Sequence, residues 1–255
     1  KVHPINHEGP YYSVPGPHLC EPSPQRTPLL FQAGSSERGR EFAARHAECV
    51  FIGATQPAAT AERVGSLREQ VVRAGREAGD VKVFAMMAVV VAETDAAAMA
   101  KFEEYESYGL MEGSLALMSG WRGVDLSRFN LDEPPRDFSE DAIQGAGQPS
   151  SDNPTVRQLG EGLAVGGGAN VIVGSPQTVA DELQRWMDTT DIDGFNLAYT
   201  VLPECYEEFV DLVVPELQSR GVYKSSYKEG TLRQKLFGAG DRLPESHPAE
   251  GFRRR

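Results

Sequence analysis

A glycine–serine turn near the start of the chain has residue types that can bind an anion. The apolar run Pro28–Ala33 predicts a buried strand, and Glu37–His46 has the composition of a helix. Gly34, Ser35 and Ser36 connect the two. A strand, a tight turn and a helix start place unpaired main-chain N–H groups at one edge of a sheet, where a phosphate binds well. The two serine hydroxyls would add further donors.

Two arginines in the first turns of the predicted helix, Arg38 and Arg40, favour the same interpretation. The helix dipole disfavours cations at this end of a helix, and a bound dianion would compensate for them. The pattern leaves an alternative open: a serine-capped helix after a strand, with both arginines in solvent or paired with Glu37 and Glu41.

Composition and charge exclude several classes of partner. The 255 residues carry a net charge of -12. We expect no binding to nucleic acid or to an anionic membrane, because so acidic a chain is repelled by phosphates. The sequence has no apolar run of the roughly 18–20 residues that span a bilayer. Three widely spaced cysteines favour neither a disulfide framework nor a metal site, which indicates a reducing cytoplasm.

No residue is assigned a metal-binding or catalytic role from its spacing. The spacing of His3, His7 and His18 matches no helical or finger pattern, so we predict no metal. Cys49 and Cys205 are expected to be buried packing residues and not nucleophiles.

The chain after residue 26 alternates strand and helix patterns. Predicted strands lie at Pro28–Ala33, Glu48–Gly53, Lys82–Ala92 and Gly194–Ala198, and regular structure is also expected to resume at Ala169–Val173. Predicted helices are Glu37–His46, one around Val64–Ala74, one from Thr94 to about Met118, one capped by Ser175, and Glu204–Arg220 with a kink at Pro215. This order predicts an α/β fold, a mainly parallel sheet with helices outside it.

Three segments fall outside the alternation. Residues 1–26 form an irregular lead-in, and 119–168 is a long Gly-, Pro-, Asp- and Ser-rich insertion of the kind that forms lids. The predicted apolar anchors of the insertion are Trp121, Phe129 and Phe138. The polar tail 221–255 is expected to wrap the surface or a neighbouring subunit, docking through Phe237 and Leu243.

Six distinct segments of the chain carry specific motifs. They are the run Lys1–Gly53, SGWRGVDLSRF (119–129), GSPQTVADEL (174–183), DGFNL (193–197), VVPELQSRG (213–221) and EGTLRQKLFG (229–238). Their sequence and order resemble the flavin-dependent monooxygenases of the bacterial luciferase-like superfamily. The branch is that of the long-chain alkane, nitrilotriacetate, dimethyl sulfide and dibenzothiophene sulfone monooxygenases.

The resemblance implies the second half of a (β/α)8 TIM barrel, in one partial barrel domain with the lead-in, the lid-like insertion and the tail. Strands five to eight would be Pro28–Ala33, Glu48–Gly53, Lys82–Ala92 and Gly194–Ala198. A half barrel would leave two sheet edges open, which proteins avoid. Either the fold is a smaller sandwich or an amino-terminal half is missing. The resemblance implies that strands one to four are absent, and these carry most contacts of the family with the flavin ring and the substrate.

The family binds FMN with its phosphate near a QAGxS turn after strand five, which matches the QAGSS run here. By this resemblance, Ser36 donates its hydroxyl and Ser35 its main-chain N–H to the phosphate. Gly34 and Ala33 allow the close approach of the main chain. A generic barrel argument would place a phosphate later in the chain, at Gly174–Pro176, and this is the competing site.

The resemblance also implies the reaction. A flavin reductase supplies reduced FMN, O2 is the co-substrate, and one oxygen atom enters a small organic substrate: an alkane, an organosulfur compound or an aminopolycarboxylate. The alkane enzyme has a histidine where this chain reads EGSLALM (112–118), which makes an alkane less favoured. A homo-oligomer is expected from the tail. The alternatives are a truncated, catalytically silent half barrel that binds at most phosphate or a complementary half, and, more distantly, a deazaflavin-dependent oxidoreductase.

Overall fold

The computed structural model describes residues 2–33, 36–54, 56–135 and 154–252. The strands are β1 (His7–Glu8), β2 (Ser13–Val14), β3 (Phe31–Ala33), β4 (Cys49–Gly53), β5 (Lys82–Val91), β6 (Asn170–Gly174) and β7 (Gly194–Ala198). The helices are α1 (Glu37–His46), α2 (Pro57–Arg73), α3 (Asp95–Ser107), α4 (Met111–Arg122), α5 (Val156–Glu161), α6 (Pro176–Thr190), α7 (Glu204–Glu208), α8 (Val214–Ser219) and α9 (Leu232–Phe237). None of these helices is long and apolar enough to cross a membrane.

The main sheet is parallel throughout, which confirms the predicted α/β class. β3 pairs with β4, β4 with β5, and β5 with β7, in the order of the chain. Met87 and Ala88 of β5 pair with both β6 and β7, so these two strands lie on opposite sides of β5. β6 therefore extends the sheet on the side of β4, beyond the point where β4 ends. The numbering of these strands as five to eight of a barrel stays a prediction.

The two faces of this sheet have different surroundings. Side chains of one face pack with α1, α2, α6 and the segment after α7 into the main core, among them Val50, Ile52, Val83, Ala85 and Met87. The opposite face carries Phe31, Phe51 and Phe84, and Phe31 is 45% exposed. The rings of Phe31 and Phe51 stack at a centroid distance of 5.1 Å. One face of the sheet is thus covered by helices, while the other presents aromatic rings.

Three helix starts follow the predicted capping chemistry. The side chains of Ser36, Thr94 and Ser175 each accept a hydrogen bond from a main-chain N–H in the first turn of α1, α3 and α6, respectively. Pro176 occupies the first turn of α6, where its missing N–H is not needed. The local signals in the sequence therefore located these boundaries correctly.

The predicted single helix from Thr94 to Met118 is wrong, because α3 ends at Ser107 and α4 begins at Met111. Gly109 lies in the break, where an added Cβ would come within 2.6 Å of the Cβ of Ala164. The helix is interrupted at Gly109, and this lets the segment before β6 pack closely against it. Such a tertiary contact cannot be read from the hydrophobic periodicity of the sequence.

The helix predicted at Glu204–Arg220 is divided into α7, a π-helical turn at Phe209–Val213, and α8. Pro215 has no N–H to donate to the preceding turn, so the predicted interruption is confirmed. Two smaller predictions need correction. Pro28–Leu30 precede the first strand of the main sheet, and Met187, predicted in the buried stripe of α6, is 37% exposed.

The insertion 119–168 contains more helix than its composition predicted. Its described parts include the end of α4, the turn Leu126–Arg128, and α5. They share a small second core with Trp121 and Phe129, two of the predicted anchors. Phe138, the third, lies outside the described residues. The role of this insertion as a lid stays a prediction.

The tail crosses the amino-terminal end of the sheet. Leu243 is buried, as predicted, and Phe237 is partly buried beneath Lys82. The strongest anchor is Arg233, whose Nε and Nη2 donate to Glu48 Oε1 and Oε2 at 2.6 and 2.9 Å. Farther along, His247 Nε2 lies 3.0 Å from the carbonyl oxygen of His46. The tail is therefore part of the folded domain.

The environment of His46 is expected to make the stability of the fold depend on pH. Burial, followed by the positive charge of His247, Arg45 and Arg76, lowers the pKa of His46 below its ordinary value of 6.5. The unfolded chain then binds more protons than the folded chain below about pH 6.5, so acid favours unfolding. The stabilisation is complete above that pH and declines as the pH falls towards the lower pKa of the folded state.

We expect the His46→Gln variant to lose less unfolding free energy than the wild type between about pH 7.5 and pH 5.5, because it lacks this titration. Urea unfolding of both proteins at the two pH values measures the difference. An equal or larger loss in the variant would contradict this assignment.

Candidate functional site

The predicted phosphate turn lies at the carboxyl end of β3. Ala33 is the last residue of β3, and Ser36 is the N-cap of α1. The Ser36 Oγ accepts a hydrogen bond from Gly39 N at 3.0 Å, and its carbonyl oxygen accepts one from Arg40 N at 2.9 Å. Gly34 and Ser35, the other two predicted contacts, lie outside the described residues.

The geometry of this corner is compatible with a phosphate. Ser36 uses an oxygen lone pair for Gly39, so the hydrogen of its hydroxyl remains available to a ligand. The N–H groups of Glu37 and Arg38, at the first two positions of α1, have no intrahelical acceptor. Ser36 can therefore cap the helix and donate to an anion at the same time.

Arginine side chains lie near this corner. Arg38 is exposed, whereas Arg40 is partly buried and lines a small cavity together with Arg63 of α2. The Arg63 Nη1 donates to the carbonyl oxygen of Gly53, the last residue of β4, at 2.8 Å. Sequence reasoning missed Arg63, because the helical pattern of α2 does not reveal which strand end the side chain reaches.

The competing phosphate site at Gly174–Pro176 is already filled by a carboxylate of the chain. Asp95 Oδ1 accepts a hydrogen bond from Ser175 N at 2.7 Å. This bond, followed by hydrogen bonds from the Thr178 and Ser175 hydroxyls, lowers the pKa of Asp95. The start of α6 thus already has an anion of the chain at its first N–H groups.

Another cavity lies at the opposite end of the sheet. It measures about 570 Å³ and is lined by Glu48, Arg76, Asp80, Arg233 and the tail residues 239–245. These groups precede β4 and β5 or belong to the tail, so the cavity is at the amino-terminal ends of the strands. In (β/α)8 barrels, the corresponding end contributes to stability, whereas ligands bind at the carboxyl ends of the strands.

The candidate nucleophiles are structural. Cys49 is fully buried, and burial, together with the negative charge of Glu48 and Asp193, raises the pKa of its thiol to about 12. A thiol with this pKa is not a thiolate at neutral pH. Cys205 is buried in the first turn of α7. Among the described residues, no cluster of His, Cys, Asp or Glu is arranged to hold a metal ion.

Comparison with known proteins identifies similar sequences and folds. The family model described as "Luciferase-like monooxygenase" matches residues 2–191. The dimethyl-sulfide monooxygenase of Hyphomicrobium sulfonivorans is 46% identical, across 99% of this chain and 54% of that protein. The long-chain alkane monooxygenase of Geobacillus thermodenitrificans is 44% identical, again across 99% and 54%.

One similar solved structure is a riboflavin lyase, described with a modified FMN and its substrate riboflavin. It is 36% identical, with a TM-score of 0.90 over 100% of this chain and 57% of that one. The chain spans about half the length of the curated relatives it matches.

Proposed function

The chain belongs to the luciferase-like monooxygenase family, and on this premise we propose that it provides the FMN-phosphate site of a two-component flavin-dependent monooxygenase. The observation that carries the proposal is the corner at Ser36. It combines an available hydroxyl, two helical N–H groups without intrahelical acceptors, and nearby arginines at the carboxyl end of a parallel sheet.

The residues named above would hold the cofactor. Ser36 would donate its hydroxyl to the phosphate, Ser35 would donate its main-chain N–H, and Gly34 and Ala33 would allow the close approach of the main chain. Arg40 is the nearby cation of α1. Reduced FMN, when bound, supplies the electrons with which O2 is activated. The chain itself binds and orients the flavin, and the insertion 119–168 excludes water from the substrate.

We infer the remaining components from the relatives. A flavin reductase delivers reduced FMN, and the substrate is a small organic molecule of the alkane, organosulfur or aminopolycarboxylate class, the classes in the names of relatives. The lack of histidine in residues 112–118 favours the latter two classes over the alkanes. We also propose that the protein acts as a homo-oligomer in the cytoplasm. The relatives are named as monooxygenases, which favours this function over the silent half barrel, although the exposed face that carries Phe31 predicts little turnover by the chain alone.

Two variants of Ser36 test the phosphate contact. Ser36→Ala removes the hydroxyl, whereas Ser36→Asp keeps an N-cap side chain and adds a charge that repels a phosphate. We expect the FMN dissociation constant to rise about 10-fold or more in both, consistent with the loss of a hydrogen bond to a charged group. Riboflavin, which lacks the phosphate, should bind all variants alike.

The measurement is a fluorescence titration with FMN and with riboflavin. Ser66→Ala, a serine of α2 away from the corner, is the matched control and should bind both flavins as the wild type does. Equal FMN affinity in wild type, Ser36→Ala and Ser36→Asp would remove Ser36 from the site. Failure of the wild type to bind FMN would refute the proposed function.

A further inference from the structure

One polar side chain interrupts the apolar surface on the uncovered face of the sheet. Asn196 is the central residue of β7, and its neighbours Phe195 and Leu197 pack against the main core. Because side chains alternate along a strand, Asn196 points to the opposite face, the one that carries Phe51 and Phe84. Lys82 lies on the same face at the start of β5, where its ammonium donates to Asp193 Oδ1 at 3.0 Å. Farther along the strands, beside Phe84 and Met86, Asn196 adds a carboxamide to the apolar side chains.

The packing of β7 does not explain an asparagine at this position. Asn196 is exposed, and its carboxamide makes no hydrogen bond to any group in the described ranges. Asparagine is also depleted in strands, where β-branched and aromatic residues are favoured. The side chain thus keeps both of its N–H donors and its carbonyl acceptor free on the uncovered face.

The neighbours of Asn196 leave space beside it. In the register of the sheet, Asn196 pairs with Met86, and Met86 pairs with Gly53. A Cβ added to Gly53 would meet nothing within 4 Å. In the preceding row of the sheet, Gly194 brings the ring of Phe84 against the main chain, since a Cβ there would lie 3.1 Å from that ring. The space beside Asn196 is therefore bordered by the ring of Phe84, by the flexible side chain of Met86 and by the carboxamide of Asn196 itself.

The distance from the phosphate corner also fits a flavin. β3 and β7 are separated by three strand spacings, or roughly 14 Å along the sheet. This is comparable to the span from the phosphate of FMN, along the ribityl chain, to the far edge of the ring system. The ribityl chain joins the central ring at N10, with the dimethylbenzene ring on one side and the pyrimidine ring on the other. The N–H and C=O groups are on the pyrimidine side, and a carboxamide offers them the matching acceptor and donors.

We propose that Asn196 binds the pyrimidine edge of the isoalloxazine ring and fixes the orientation of the flavin on the face formed by Phe51, Phe84 and Met86. The proposal rests on the proposed function, because it places the ring of the same FMN whose phosphate lies at Ser36. It adds a ring contact from β7, whereas the sequence had left the ring contacts to other strands.

The test uses the difference between the two ends of the ligand. Asn196→Ala removes the contact to the ring, which FMN and riboflavin share. We expect both dissociation constants to rise by the same factor, about 5- to 20-fold, the value of one to two hydrogen bonds. The visible absorption band of bound riboflavin should also move towards its position in water. Ser36→Ala should weaken FMN binding alone.

Asn130→Ala is the matched control, since Asn130 lies in the insertion and bonds locally to Glu133. It should leave both affinities unchanged. Asn196→Ala should itself fold normally, because the exposed side chain of Asn196 can be truncated without loss of packing. Unchanged binding of both flavins to Asn196→Ala would overturn the proposal while Ser36→Ala still supports the phosphate site. Weakened binding of FMN alone would also overturn it, because it would place Asn196 at the phosphate. Absence of flavin binding in the wild type would refute the proposed function itself.

Discussion

Replacement of Arg233 by methionine is expected to lower the free energy of unfolding by about 3–5 kcal/mol. Arg233 and Glu48 are each 2% exposed and form a two-point ion pair in which Glu48 Oε2 also accepts from Leu30 N. The guanidinium further donates to the carbonyl oxygens of Thr27 and Asp241. Methionine would leave a buried carboxylate without its cation, and this cost exceeds the direct value of the pair.

Urea unfolding monitored by tryptophan fluorescence measures this change. Arg73→Met is the matched control, because Arg73 pairs with Glu69 at the surface, where both side chains are about 70% exposed. Its effect should be below about 1 kcal/mol. The double variant Glu48→Gln, Arg233→Met should recover part of the loss, since the unpaired charge is gone. A loss below about 1 kcal/mol for Arg233→Met would show that the tail does not anchor the domain.

The second large effect concerns turnover. With reduced FMN, O2 and dimethyl sulfide, we expect the isolated chain to oxidise no more substrate than free reduced flavin does. Phe31 is 45% exposed on the face to which we assign the flavin ring, so water reaches this proposed surface, and a monooxygenase site must exclude it. A polypeptide that matches the remaining part of the dimethyl-sulfide monooxygenase of Hyphomicrobium sulfonivorans should restore turnover when it is co-expressed with this chain.

Phe31→Asp provides the control for this complementation. Phe31 is 45% exposed, so the variant should fold, but a carboxylate on this face would prevent the second polypeptide from covering it. Turnover should then stay at the level of the isolated chain. Substantial oxidation of dimethyl sulfide by the unaccompanied chain would contradict the expectation that the open face must be covered.

Local patterns in the sequence predicted the elements that position the site. The Ser36 and Ser175 caps, the bounds of α1 and the strand β7 follow from capping residues and from short apolar runs. The parallel sheet followed from the alternation of strand and helix. These features depend on neighbours in the sequence, which explains why they could be predicted.

The contacts that were missed join distant parts of the chain. Arg233 pairs with Glu48 across 185 positions, and Asp95 reaches the start of α6 across 80. The sequence places Asn196 in a short apolar strand but does not show which face of the sheet it occupies. The register of β7 against β5 shows this. The break at Gly109 likewise depends on Ala164. Such pairings are set by tertiary packing, on which a single sequence carries little information.

The most direct test of the central claim is a crystal structure of the chain in complex with FMN. We predict that a phosphate oxygen will lie about 2.7–3.0 Å from Ser36 Oγ, within hydrogen-bond distance of the first N–H groups of α1. A phosphate bound at the start of α6 in place of Asp95, or a nucleotide lodged elsewhere with the Ser36 corner empty, would contradict the account.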